Sequence, residues 1–244
     1  MRIAILADIH ANLAAFTAVL RDCEQRGGVD EYWLLGDLVN YGPDPEKCVE
    51  IVRRLKHCAI AGNHDLAAIG KLSTRFFNPD AVAAMEWTMQ QLSPRNIDFL
   101  AGLEQISWRG DFMLVHGSPR DPVGEYLISR GQAEENFRVF KNKYCFVAHS
   151  HEPLMFRLDE EGHASFVNFT ESIGQVLGDW RLIINPGSVG QPRDGDPRAS
   201  YVMLDSETSM IKLYRVAYDI GATQLKMVRA NLPMRLVARL EKGL

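Results

Sequence analysis

The chain reads as an α/β protein in which two sheets stack face to face with helices outside, and three observations point there. Five short apolar runs flanked by helical or turn patterns have the character of buried strands. The first three alternate with helical patterns, which implies parallel strands joined by right-handed crossovers. The back half carries strand patterns paired across short turns, and the chain closes on helical patterns.

Ile3-Ala-Ile-Leu-Ala-Asp8 is the first run, and Ile9 and His10 follow it. Asn12 can cap a helix to about Arg26, with Leu13, Phe16, Val19 and Leu20 at helical spacing and Gly27-Gly28 ending it. Glu31 to Leu35 is the second strand and runs into the Gly36-Asp37 turn. Pro43-Asp-Pro45 opens a helix, Glu46 to about Lys56, which lays Val49, Val52 and Leu55 on one face. His57-Cys-Ala-Ile-Ala61 is the third strand, and it delivers Gly62-Asn63-His64-Asp65. Asn78-Pro79 and Ser93-Pro94 each pair a cap with proline at the first helical position, so they begin helices to about Leu92 and Leu103.

Strands dominate from Glu104. Gln105 to Arg109 and Asp111 to His116 form a hairpin about Gly110, and the loop Gly117 to Gly131, with its prolines and glycines, can fold over a site. Gln132 to Asn142 is helical in pattern, and Tyr144 to Ala148 feeds His149, Ser150 and His151. Two more hairpins pair Leu154 to Leu158 with Ala164 to Asn168, and Ser200 to Asp205 with Met210 to Val216. Between them Trp180 to Ile184 enters the loop Asn185-Pro-Gly-Ser-Val-Gly190. Helices Asp219 to Asn231 and Met234 to Lys242 finish the chain.

At 244 residues, with no repeat, linker or low-complexity stretch, a single domain over 1–244 is expected. The 46% apolar and 24% charged content is ordinary for a globular protein. A net charge of -4 speaks against a nucleic-acid-coating or membrane-surface protein, since both carry a basic excess. Cys23, Cys48, Cys58 and Cys145 are dispersed and make no Cys-x-x-Cys, which fits buried thiols in a reducing compartment. Met1 leads directly into a strand, without a charged leader or long apolar segment, so a cytoplasmic protein is expected.

Each apolar run ends in residues able to bind a metal. If the five strands lie side by side and point the same way, Asp8, His10, Asp37, Asn63, His116, His149 and His151 meet in one cleft at their carboxyl ends. Imidazole, carboxylate and amide together favour first-row transition metals over magnesium or calcium. Seven ligands exceed one ion, and two ions sharing a carboxylate fit better, about 3.5 to 4 Å apart as in other two-metal sites. With two aspartates as the formal negatives, two divalent ions leave a surplus of about two positive charges, reduced by a bridging hydroxide, which suits a phosphate anion.

Asp8-x-His10, Gly36-Asp37, Gly62-Asn63-His64-Asp65, His116 and His149-Ser-His151 resemble, in order and internal spacing, the motif set of the calcineurin-like metallophosphoesterases. Gly36-Asp-Leu-Val-Asn-Tyr-Gly-Pro43, Phe77-Asn-Pro79 and Asn185-Pro-Gly-Ser-Val-Gly-Gln-Pro-Arg193 further resemble the small bacterial and archaeal phosphodiesterase-like branch. The resemblance implies a four-layer α/β/β/α sandwich with two stacked mixed sheets, the metallo-dependent phosphatase fold. It also implies that Asp8, His10 and His151 bind one metal, that Asn63, His116 and His149 bind the other, and that Asp37 bridges. His64 would then face the phosphoryl group as catalytic residue, while a metal-bridging hydroxide attacks phosphorus in line. In the protein Ser/Thr phosphatases an aspartate at the position of Asn40 pairs with the histidine equivalent to His64, and an arginine stands in place of Tyr41. Here that pairing is not expected, and neither is protein phosphatase activity.

The function expected is therefore hydrolysis of a phosphodiester in a small or nucleotide-like substrate by two divalent transition-metal ions, Mn, Fe, Ni or Zn. Alternatives are hydrolysis of bis-nucleoside polyphosphates, a phosphomonoesterase, a nuclease, or a non-catalytic metal-binding scaffold on the same fold. A nuclease would need a basic track with stacking aromatics, and only Arg75-Phe-Phe77 hints at one. Asn12 is either a plain helix cap or a residue steadying the site, and Asp65 reads as an N-cap. Arg193 either clamps a substrate phosphate or is solvated, and the Asn185 to Gly190 loop either offers N–H groups to phosphate or makes a tight turn. His57 and His163 fit no motif.

Overall fold

The computed structural model describes residues 1–244. Strand β1 (Arg2–Leu6), helix α1 (Leu13–Gln25), β2 (Glu31–Leu34), α2 (Pro45–Val52) and β3 (His57–Ala59) form the expected alternating unit. Its three strands are parallel neighbours, with Ile3 opposite Glu31 and Tyr32 opposite His57. Then come α3 (Asn63–Ala68), α4 (Pro79–Gln91) and α5 (Pro94–Ala101). The Asn78 and Ser93 side chains accept the N–H groups of Ala81 and Asn96, so both predicted caps are made. Helix α2 ends at Val52, short of Lys56. Helix α3 stands where only a turn was expected, because Asp65, within its first turn, both accepts the cap N–H of Gly62 and anchors a neighbouring loop.

The remainder is β4 (Ile106–Arg109), β5 (Phe112–Val115), α6 (Arg130–Phe137), β6 (Tyr144–Phe146), β7 (Pro153–Leu158), β8 (Ala164–Phe166), β9 (Gly174–Val176), β10 (Arg181–Pro186), β11 (Ala199–Asp205), β12 (Met210–Val216), α7 (Ile220–Arg229) and α8 (Met234–Arg239). Two mixed six-stranded sheets result, in the orders β3-β2-β1-β11-β12-β9 and β4-β5-β6-β10-β7-β8. The strands that deliver the candidate ligands therefore do not share one sheet. Three belong to the first and β5 and β6 to the second, because the β11–β12 hairpin closes on β1 and leaves it no further neighbour.

The alternation within β1 explains how the layers adhere. Ile3 and Ile5 point between the sheets, where they meet Leu114, Phe146, Leu182 and Ile184 of the second sheet. Ala4 and Leu6 point the other way, onto Phe16, Val19 and Cys23 of α1. On the far face of the second sheet, Val115, Cys145 and Ile183 receive Ala133 and Phe137 of α6. Each large apolar side chain so buried contributes roughly 1.5–3 kcal/mol. The layer order is helix, sheet, sheet, helix, and both sheets end at one common rim. All four cysteines are buried and unbonded, and no helix is long and apolar enough to cross a membrane.

Candidate metal centre

At that rim the chain abandons regular structure as each strand ends. Asp8, His10, Ala11, Asp37, Asn40, Tyr41, His149 and His151 all take positive φ, between 46° and 73°. This conformation is costly for residues other than glycine and persists where the surroundings over-determine it. Asp65 supplies much of that determination for the 36–39 loop. Fully buried, its carboxylate accepts the N–H groups of Asp37 and Leu38, each at 2.8 Å, and that of Gly62 at 3.0 Å. Gly62 packs so tightly here that a Cβ would lie 2.5 Å from the Asp37 main-chain nitrogen.

The Asn185 to Gly190 loop resolves to scaffolding. Val189 and Gly190 donate their N–H groups to the carbonyls of Ala7 and Asp8, Ser188 Oγ also donates to Asp8, and Asn185 Nδ2 donates to Ala148 and Ser150. Its amides hold β1 in place rather than facing a ligand. Asn12 does likewise. Its Oδ1 caps α1 by accepting from Ala15 N and also accepts from Thr223 Oγ1, while its Nδ2 donates to the Gly190 carbonyl. His57 donates locally to Leu55 and His163 is exposed, both outside the site.

Two clusters of side chains, each able to hold a metal ion, sit side by side and share Asp37. In one, ligand atoms of Asp8, His10, Asp37 and His151 lie within 4.8 Å of one another; in the other, those of Asp37, His116 and His149 do. Asn63 joins the second, with its Oδ1 3.1 Å from His116 Nε2. His10 Nε2 is 3.2 Å from His151 Nε2 and 3.6 Å from Asp37 Oδ2, and His116 Nε2 is 3.3 Å from Asp37 Oδ2. Residues from both sheets and from α3 thus converge although their strands are divided between two sheets.

The donor set fits cations. Asp8 Oδ1, Asp8 Oδ2 and Asp37 Oδ2 are buried with no hydrogen-bond partner, a costly state unless a cation accepts them. Nδ1 of His10, His116 and His151 lies 3.1, 2.7 and 2.6 Å from the carbonyls of Val39, Leu35 and Gln191. Those contacts orient each ring with Nε2 toward the centre, the arrangement by which outer partners prepare histidine ligands.

Burial governs the titration of these groups. It pushes the Asp8 carboxyl up to about 8, with the Asp37 carboxylate adding to it and His116 opposing. It lowers His10 and His151 well below the usual imidazole range and His149 to about 3. For His116 burial is overcome by the Asp37 and Asp8 carboxylates, which raise it to about 9. Against the same burial, His116 and His64 hold Asp37 well below the normal carboxylate range.

His64 is buried beside both clusters, with its Nε2 3.9 Å from Asp37 Oδ2. Contrary to expectation, residue 40 does pair with it: Asn40 Nδ2 lies 2.7 Å from His64 Nδ1 and also donates to the Ala81 carbonyl. That second acceptor fixes which end of the amide faces the ring. Nδ1 is therefore the acceptor, and the proton sits on Nε2, which points at the metal centre. Burial lowers the His64 pKa to about 4, so the ring is neutral.

A cavity of about 430 Å³ opens onto this side, lined by Asn63, His64 and His149 together with the aromatic rings of Tyr41, Phe76, Phe77 and Tyr126. The Tyr126 ring centroid is 4.0 Å from that of His149, which brings the Gly117 to Gly131 loop over the site as its composition suggested. The lining contains no lysine or arginine. Arg193 is half-buried, with its Nη2 donating to Gln191 Oε1 at 3.2 Å, and its charge acts on Asp8, His10 and His151.

Comparison with known proteins agrees with this geometry. Residues 1–209 match the sequence profile of the calcineurin-like phosphoesterase superfamily domain. The crystal structure of a metallophosphoesterase from Sphaerobacter thermophilus is 44% identical, with a TM-score of 0.89 over 100% of this chain and 99% of that one. An uncharacterised protein of Methanocaldococcus jannaschii is 38% identical over 99% of this chain and 98% of its own length. A symmetrical bis(5'-nucleosyl)-tetraphosphatase of Photorhabdus laumondii is 32% identical over 36% of this chain and 37% of its own. The chain belongs to the calcineurin-like phosphoesterase superfamily and is a metal-dependent phosphoesterase.

Proposed function

We propose that this phosphoesterase hydrolyses phosphodiesters of small, nucleotide-like substrates with two divalent transition-metal ions, of the kind Mn, Fe, Ni or Zn. Asp8, His10 and His151 would hold one ion, Asn63, His116 and His149 the second, and Asp37 both. The observation that carries this reading is the sharing of the Asp37 carboxylate between two adjacent ligand clusters beside an aromatic-lined cavity. When bound, the ions supply Lewis-acid charge for the phosphate and acidify a water.

The chain's own groups do the rest. His64, neutral and bearing its proton on Nε2, donates to the phosphoryl or leaving oxygen as negative charge grows there. Tyr126, Phe76 and Phe77 offer flat apolar surface to an aryl or base-like substituent. Because the lining holds no lysine or arginine, it suits the uncharged second ester arm of a diester. Bis-nucleoside polyphosphate hydrolysis is the second reading, supported by the partial likeness to the Photorhabdus enzyme. Four buried, unbonded cysteines support a cytoplasmic setting, where thiols stay reduced.

Chelated protein reloaded with manganese is expected to cleave an aryl phosphodiester faster than the matching monoester. His64→Ala is expected to lose activity by roughly a hundredfold or more while keeping its metal content. A preference for the monoester would overturn the substrate class, and undiminished turnover in the variant would remove His64 from the mechanism.

A further inference from the structure

A cationic patch flanks the metal centre, outside the lining of the aromatic cavity. Gln191 links the patch to the centre: its carbonyl accepts from His151 Nδ1, while its Oε1 accepts from both Arg193 and Arg239. Two guanidinium groups thus crowd one neutral oxygen, next to a proposed metal ligand. Neither belongs to any of the ion pairs along the chain, although Arg215, Arg198 and Lys226 nearby each find a carboxylate. Nε of both Arg193 and Arg239 is buried without a hydrogen-bond partner.

Arg239 ends α8, beyond the residues matched by the family profile. The helix dipole alone favours a cation in a last turn, but such a side chain normally reaches into water. This one turns inward. Its Cζ lies 4.7 Å from the centre of the Tyr41 ring, whose own centroid is 4.6 Å from His10 and 4.7 Å from His64. Burial, with the repulsion of Arg193, lowers its pKa, so the arrangement costs free energy in the absence of an anion. Two forked donors with unpaired Nε groups and no carboxylate in direct ion pairing are matched to the oxygens of a phosphate.

We propose that Arg193 and Arg239 together form an anion site that takes a second, non-scissile phosphate of the substrate, beside the one held at the metal centre. The assignment rests on the phosphoesterase reading above and deepens it: the substrate carries at least two phosphates. The C-terminal helix thereby supplies a specificity determinant of its own.

The test compares ADP with AMP, ligands that differ by one phosphate, at fixed free manganese. For each, the inhibition constant against an aryl phosphodiester and the rise in Tm on binding are measured for the wild type, Arg239→Gln and Arg193→Gln. Wild-type protein is expected to bind ADP about tenfold more tightly than AMP, and each substitution is expected to remove most of that advantage. Arg239→Lys, which keeps the charge but not the fork, is expected to recover part of it. Equal losses for both ligands would place the arginines on the metal-held phosphate instead, and no change would mean solvated side chains; either result overturns the proposal. The Tm readout needs no turnover, so an enzyme inactive on the diester would sink the catalytic reading while the anion site was still judged on its own.

Discussion

With an amide rather than a carboxylate against its Nδ1, His64 has no charged partner at that nitrogen, and burial outweighs the pull of the Asp37 carboxylate and keeps the ring neutral. Its chemistry is that of a hydrogen-bond donor, set by the single residue Asn40. The proposed ligands behave differently. Without metal, Asp8 holds its proton up to about pH 8 and His116 up to about pH 9. Both folded values lie above the ordinary ones, so these two groups bind more protons in the metal-free fold than in the unfolded chain, and the stability they contribute is lost as pH rises through about 8 and 9. A cation needs both groups deprotonated, so metal binding at pH 7 must release protons. Affinity for manganese is accordingly expected to rise steeply with pH and to level off above about 9. Calorimetric titration in two buffers of different ionisation enthalpy measures the protons released; a pH-independent affinity would contradict these assignments.

Among the elements, the short helix α3 has the widest reach. It opens with Asn63 and His64, and its Asp65 binds the N–H groups of Asp37 and Leu38 in the turn after β2. The position of Asp37, shared by both clusters, thus depends on a carboxylate that belongs to neither. Asp65→Asn replaces one acceptor oxygen with a donor facing buried N–H groups. It is expected to cost about 1–3 kcal/mol of stability and to lower the metal content at fixed free manganese. Chemical denaturation and metal analysis check the two effects, and a variant of wild-type stability and full occupancy would reduce Asp65 to a plain helix cap. That fuller role was not legible from the chain order, because the N–H groups it holds lie 27 and 28 residues away.

Across the whole molecule, the clusters straddle the rim where the two sheets meet, so metal binding ties together elements that otherwise join through apolar packing. At a thousand times the dissociation constant, a ligand bound only by the folded state stabilises it by about 4 kcal/mol. For a chain of this size that corresponds to a rise in Tm on the order of 10 °C. Chelation is expected to lower Tm by that amount and manganese to restore it, as scanning calorimetry can record; an unchanged Tm would separate the centre from the stability of the fold.

Local order made much of this readable. Apolar runs of strand length ending in Asp, Asn or His, and Asn-Pro or Ser-Pro caps ahead of helices, depend on neighbours in sequence, so strands, most helices and all seven candidate ligands were named from the chain alone. Helix α2 was read too long and β9 was missed, since weak or very short patterns are decided by what packs against them. The distribution of the ligand strands over two sheets, the pairing of Asn40 with His64, the lining of the cavity by Tyr126 and the inward turn of Arg239 were decided only by tertiary structure. Each depends on contacts between residues distant in sequence, where burial and the need to satisfy buried polar groups, rather than local propensity, determine which partners meet.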